Sequence, residues 1–183
     1  EDNNSKKEKK KEEDIDTTDY YFINSVGSDE VGTGDYFGPL IVTAAFVSKE
    51  NIAWMQDLGV RDSKKLTDDK IIKIAPELIK RIPHTTMVLS NEEYNQYHST
   101  DFNMNKVKAI LHNKCLLSVL KKDGVSYSKI VVDQFEPPKS YYNHIKNSTK
   151  KVNDIFFLTK AEDQCLSVAC ASMISRYIFL QEM

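Results

Sequence analysis

Apolar and polar positions along this 183-residue chain alternate in blocks whose periods differ, and the periods predict the elements. Residues 21–28 and 40–47 are rich in aromatic or β-branched side chains and flank a glycine-rich turn, which predicts two strands. From Thr67 to Ile82 the apolar residues Ile71, Ile74, Ala75, Leu78 and Ile79 recur at helical spacing, with Pro76 predicting a break or a kink. Residues 85–89 read as a short strand, after which Ser90 and Asn91 cap a short helix containing Tyr94. Residues 105–122 form the clearest amphipathic pattern, with Val107, Ile110, Leu111 and Leu117 on one side and Gly124 as its stop. Residues 129–132 predict a buried strand ending at Asp133, residues 155–159 another, and residues 161–180 a long helix. In that helix the small residues Ala169, Ala171 and Ser172 allow close approach to a sheet. Strands first, then strands alternating with helices, give an α/β fold with a mixed central sheet flanked by helices.

Residues 1–19 break the pattern. Lys6, Lys7, Lys9, Lys10 and Lys11 interleave with Glu8, Glu12 and Glu13, and there is too little apolar surface to offset the entropy of ordering. We expect a charged linker or disordered arm there and one domain over residues 20–183. No apolar run is long enough to cross a bilayer, and no apolar segment follows the charged start, so a cytoplasmic, monomeric protein is expected. The three cysteines, Cys115, Cys165 and Cys170, include no Cys-x-x-Cys pair, and buried free thiols are the expectation. The formal net charge of −2 lacks the basic excess of most nucleic-acid-binding domains. Carboxylates gathered around bound cations would change the local field even so.

The acids that stand out are Asp29 and Glu30 after the first strand, Asp133 at the end of a later one, and Glu162 at the start of the last helix. Sites in open α/β sheets gather at strand ends, so these carboxylates can meet. Carboxylates brought together repel unless they share cations. Hard ions such as Mg²⁺ or Mn²⁺ take oxygen ligands, and two of them about 3.5–4 Å apart can hold the attacking water and the leaving oxygen of a phosphodiester cleavage. Acids in these positions also serve as turn residues and helix caps, and spacing alone does not separate them from Asp35, Asp62 or Asp163. The glycines Gly32, Gly34 and Gly38 permit a loop whose N–H groups bind phosphate or a sugar hydroxyl, or a plain wide turn. Ser63 and Lys64 stand where a helix entry could hold a phosphate, with capping by Ser63 or Thr67 as the simpler alternative. His112 and Asn113 are polar positions from which a helix could face a substrate groove, although a lone helical histidine is more often surface or satisfied core.

Taken together these blocks are more specific than any one of them. The run Gly27-Ser28-Asp29-Glu30-Val31-Gly32-Thr33-Gly34-Asp35-Tyr36-Phe37-Gly38-Pro39 resembles the signature of the ribonuclease HIII family. Asp62-Ser63-Lys64-Lys65-Leu66, the stretch from Asn105 to Asn113, Val131-Val132-Asp133-Gln134-Phe135 and Thr159-Lys160-Ala161-Glu162 resemble its later blocks, in the same order. The sister family, ribonuclease HII, typically carries Gly-Arg-Gly where this chain has Gly32-Thr33-Gly34, and commonly Asp at the position of Glu162.

The resemblance implies a ribonuclease H-like fold and a Mg²⁺- or Mn²⁺-dependent endonuclease. It would cut the RNA strand of RNA–DNA hybrids by a two-metal mechanism, leaving 3′-hydroxyl and 5′-phosphate ends. Asp29, Glu30, Asp133 and Glu162 would be the catalytic metal ligands. Gly32, Thr33 and Gly34 would read the ribose 2′-hydroxyl, Ser63 and Lys64 would hold a phosphate, and Asn105, His112 and Asn113 would contact substrate. With Thr33 in place of arginine, poor cleavage at a single embedded ribonucleotide is expected. Family members usually carry an N-terminal substrate-gripping domain and further C-terminal helices, so the chain is expected to lack both. A non-enzymatic binding module, a junction-cutting ribonuclease HII and a DNA-cutting nuclease of the same fold are the alternatives.

Overall fold

The protein is described from a computed structural model covering residues 20–32, 38–60, 65–96 and 103–182. The arm over residues 1–19 and the positions Thr33, Gly34, Ser63 and Lys64 lie outside the described residues. In chain order the elements are β1 (Ser25–Val31), β2 (Leu40–Val47), α1 (Ile52–Leu58), α2 (Asp68–Arg81), β3 (His84–Leu89), α3 (Asn91–Gln96), α4 (Met104–Leu120), β4 (Lys129–Asp133), α5 (Pro138–His144), β5 (Ile155–Leu158) and α6 (Leu166–Glu182). Short 3-10 turns precede α1 and α6.

The strands form one sheet in the order β3-β2-β1-β4-β5. The β1–β2 and β2–β3 pairs are antiparallel, while β1–β4 and β4–β5 are parallel, which makes the sheet mixed as expected. Its two faces are covered by different helices. On one, Val26, Val42, Ala44, Phe46, Ile130 and Val132 pack against Cys115, Leu116 and Val119 of α4. On the other, Ala45 and Val47 pack with α2 and with Leu166, Ala169, Cys170, Met173 and Ile174 of α6. Every residue of β2 is buried, which explains its unbroken apolar run. Cys115, Cys165 and Cys170 are buried free thiols, as expected.

The small residues of α6 bring it tight against β1. A Cβ on Gly27 would stand 2.5 Å from Ser167 Oγ and 2.6 Å from the Val168 backbone nitrogen. Ser25 donates to Ser167 at 2.7 Å beside it, and Ser175 donates to Thr43 at 2.8 Å further along the same helix.

Three sequence expectations are corrected and a fourth is narrowed. The first strand runs over Ser25–Val31 rather than 21–28, because the Tyr21 ring packs against the α6-side core instead of joining a ladder. Asp29 and Glu30 therefore sit inside the strand, paired with Thr43 and Val42. Helix α2 runs through Pro76 without the break that was one of the two expectations; the carbonyl that proline leaves without a donor belongs to Ile72, a half-exposed residue. The expected helix over 161–180 divides into a 3-10 turn, Ala161–Asp163, and α6. In α4, finally, the fully buried stripe is Ala109, His112, Cys115, Leu116 and Val119, and the residues expected to form it are only partly buried.

Candidate active site

Alternation along β1 sends Asp29 and Glu30 to opposite faces of the sheet. Asp29 shares the α6 side with Gly27, and Glu30 shares the α4 side with Ser28. The parallel pairing of β1 with β4 brings Asp133, at the end of β4, alongside Asp29. The 3-10 turn after β5 delivers Glu162 to the same place. One carboxylate oxygen each from Asp29, Asp133 and Glu162 lie within 4.8 Å of one another. Two backbone donors fix this cluster: Glu30 N–H donates to Asp29 Oδ1 at 2.8 Å, and Ala161 N–H donates to Asp133 Oδ1 at 3.1 Å.

Asp29 is 6% exposed. Burial, then the charges of Glu30 and Asp133, push its carboxyl well above the usual carboxylate range. Burial also raises Asp133, with Glu162 and Glu30 adding to it against the Ala161 N–H. A buried carboxyl beside two half-buried ones is unfavourable on its own and fits a hard divalent cation bound by oxygen. Among the described residues no histidine or cysteine joins the group, so the donor set suits Mg²⁺ or Mn²⁺ better than zinc.

The raised Asp29 and Asp133 carboxyls make the metal-free protein's stability depend on pH with a definite sign. Such a group is neutral in both folded and unfolded chains below its ordinary value near 4. As pH rises from there through the raised folded value, ionisation costs the folded state more than the unfolded one, and stability falls. Under chelator, Asp29→Asn is therefore expected to melt higher than wild type at pH 7–8, by ~2–4 °C for each kcal/mol of repulsion relieved. The difference should shrink toward pH 4 and reverse with saturating Mn²⁺, which binds the ionised form. Equal melting temperatures across that range would contradict the repulsion.

Glu30 does not join the three-carboxylate group. Its Oε2 accepts from His112 Nε2 at 2.8 Å, and Lys108 Nζ lies 3.5 Å from its Oε1. Burial would raise this carboxyl, but His112 and Lys108 together outweigh it and hold Glu30 below the usual range. His112 is fully buried, and its Nδ1 lies 2.7 Å from Ser28 Oγ. Asn113 is buried too: its amide donates to the Lys150 carbonyl and its carbonyl accepts from Val152 N–H, both at 2.9 Å. Neither side chain reaches the surface, and for His112 this is the satisfied-core alternative. Asn105 lies in the first turn of α4, where its N–H is taken by the capping Asn103 side chain. Gly32 follows β1 with φ +89°, and a Cβ there would collide with the Pro39 carbonyl, so the position requires glycine.

Sequence reasoning missed Lys108 as a partner of Glu30 and Ser28 as a partner of His112. A signal was present for His112: with Ala109, Leu116 and Val119 it falls at positions i, i+3, i+7 and i+10, a single helical stripe. Beside Glu162, a cavity of about 210 Å³ is lined by Val31, Leu66, Ile71 and Met173, and across it Arg176 pairs with Asp68 at 3.2 Å.

The ribonuclease HII family profile matches residues 26–183. Ribonuclease HIII of Bacillus subtilis is 49% identical over 159 residues, covering 86% of this chain and 51% of that protein. Ribonuclease HIII of Phytoplasma mali is 44% identical over 158 residues, covering 86% and 54%. The crystal structure of Bst-RNase HIII in complex with Mn²⁺ superposes with a TM-score of 0.86 at 40% identity, covering 91% of this chain and 55% of that one. Ribonuclease H2 from Pyrococcus horikoshii follows with a TM-score of 0.69 at 28% identity, covering 87% and 74%. The chain spans about half the length of the ribonuclease HIII relatives it matches.

Proposed function

We propose, from the premise that this chain belongs to the ribonuclease HII family, that it is the catalytic part of a metal-dependent endoribonuclease cutting the RNA strand of RNA–DNA hybrids. The observation that carries the reading is the convergence of Asp29 from within β1, Asp133 from the end of β4 and Glu162 from the turn after β5, with their oxygens within 4.8 Å. These three would hold a Mg²⁺ or Mn²⁺ ion, and Glu30 is the fourth acid that a two-metal reaction calls for. Bound ions supply an activated water and charge stabilisation for the leaving oxygen. The chain's own contribution is to hold the acids in register through β1 and β4 and to supply the hydrogen bonds that orient them. Hydrolysis in this sense leaves a 3′-hydroxyl and a 5′-phosphate.

The HIII type is favoured over HII by Gly32-Thr33-Gly34, by Glu162, and by the names of the relatives at 44–49% identity. Gly32, Thr33 and Gly34 read the 2′-hydroxyl in this proposal, and Ser63 and Lys64 hold a phosphate. Residues 20–183 act as one monomeric catalytic unit. Among the described residues no helix is long and apolar enough to cross a membrane. A cytoplasmic setting is consistent with three buried thiols left unpaired.

The test is cleavage of end-labelled RNA–DNA hybrid with Mg²⁺, Mn²⁺ or chelator, beside a duplex with a single ribonucleotide and an all-DNA duplex. Metal-dependent cuts within the RNA tract, with little at the single ribonucleotide, are expected. Preferred cutting at the single ribonucleotide would move the assignment to the HII type. Binding without metal and no cleavage would leave a binding module, and cleavage of the all-DNA duplex would name a different nuclease.

A further inference from the structure

We infer that His112, locked by Ser28, is a positioning residue that fixes the Glu30 carboxylate for metal binding from the α4 side of the sheet. The inference rests on the proposed cleavage reaction and assigns His112 and Ser28 a part in it that direct contact with substrate could not supply.

The hydrogen-bond accounting is closed. An ionised Glu30 can only accept, so His112 Nε2 carries the proton shared at 2.8 Å. Ser28 Oγ lies 2.7 Å from Nδ1 and pairs with it in either state of the ring, accepting from an imidazolium or donating to the neutral form. Ser28 and Glu30 are two apart on β1 and face the same side, so one strand presents the partners of both ring nitrogens. Phe135, two residues beyond Asp133, stacks on the imidazole with centroids 5.2 Å apart and planes at 25°, which blocks ring rotation. Lys108, one helical turn before His112, approaches the other Glu30 oxygen at 3.5 Å. The Glu30 side chain is 11% exposed, so the carboxylate stays at the edge of the site while its direction is set from beneath.

A serine, a histidine and a glutamate in line could suggest a nucleophilic triad. Ser28 and His112 are both fully buried, however, and no substrate carbonyl or phosphate reaches the hydroxyl. Plain core satisfaction is the other alternative, and it differs in what it predicts. A merely structural histidine changes melting temperature and leaves the reaction of the folded enzyme alone. A positioning histidine acts through Glu30, so its removal matters only while Glu30 is present.

The experiment is a double-mutant cycle on the chain as it stands, combining His112→Leu, His112→Gln and Ser28→Ala with Glu30→Gln. It reads kcat, KM for a labelled hybrid, and Mn²⁺ binding to the substrate-free protein by calorimetry. His112→Leu is expected to lower kcat and weaken Mn²⁺ binding roughly 10–100-fold, the range for groups that orient a ligand, with KM within about twofold. His112→Gln, which keeps an N–H donor, recovers most of the loss, and Ser28→Ala gives a smaller loss in the same direction. In the Glu30→Gln background all three changes become silent. Equal losses in both backgrounds, or a lower melting temperature with unchanged kcat and Mn²⁺ affinity, would overturn the assignment. If His112→Leu does not fold, Ser28→Ala and His112→Gln carry the same cycle. If the wild-type chain cleaves no hybrid, the cleavage reading fails while the Mn²⁺ isotherms still decide the coupling.

Discussion

Asp133→Asn is expected to abolish hybrid cleavage, by on the order of 10³-fold or more, while the protein folds and binds hybrid as before. The size follows from position. Groups that only orient a metal ligand cost 10–100-fold on removal, and Asp133 is itself one of the three converging carboxylates. A 10³-fold loss corresponds to about 4 kcal/mol of transition-state stabilisation. The fold should survive because the substitution keeps the shape and the acceptor that the Ala161 N–H uses. It also removes one of the charges that repel Asp29, so the metal-free variant should melt no lower than wild type. Single-turnover cleavage with Mg²⁺, with binding measured under Ca²⁺ or chelator, separates the two readouts. Turnover near wild type would remove Asp133 from the site and the proposed reaction with it.

The second large effect concerns packing. Gly27→Val should destabilise the protein by about 3 kcal/mol or more, the upper part of the range for overpacking a core, which lowers the melting temperature by at least ~6 °C. The obstruction is not the tip of a flexible side chain. A Cβ at this position meets the Val168 backbone at 2.6 Å and Ser167 Oγ at 2.5 Å, so α6 itself must move. Glu162 sits in the turn that leads into α6, and the Ala161 carbonyl accepts from Cys165 N–H at 2.9 Å, tying turn to helix. Displacing the helix should therefore pull Glu162 from Asp29 and Asp133 and weaken Mn²⁺ binding in whatever fraction remains folded. Thermal melts and Mn²⁺ calorimetry check both halves, and a wild-type melting temperature would show that α6 tolerates the shift.

How much of this was legible in the sequence varies by residue and for physical reasons. The buried run of β2 and the strand ending at Asp133 were readable because burial on both faces and a terminal acid leave plain patterns. The convergence of Asp29, Asp133 and Glu162 followed from placing acids at strand ends together with the family resemblance. The boundary of β1 was misread because aromatic residues at 21 and 22 suit strand and core packing alike. What the pattern could not supply was the division of labour between Asp29 and Glu30. Adjacent strand residues face opposite ways, but which way depends on the helices that cover each face. His112 stayed open between groove, surface and core because its buried stripe was hidden among apolar residues all around α4.

The opposite facing of those two neighbours makes the site a sensor of the whole architecture. Asp29 belongs to the layer closed by α6, whereas Glu30 belongs to the layer closed by α4. A partly unfolded molecule that sheds either helical layer keeps at most one of them in place. Metal-dependent activity should therefore vanish together with the first layer to open, and a half-folded form would be inert rather than a loosely specific nuclease.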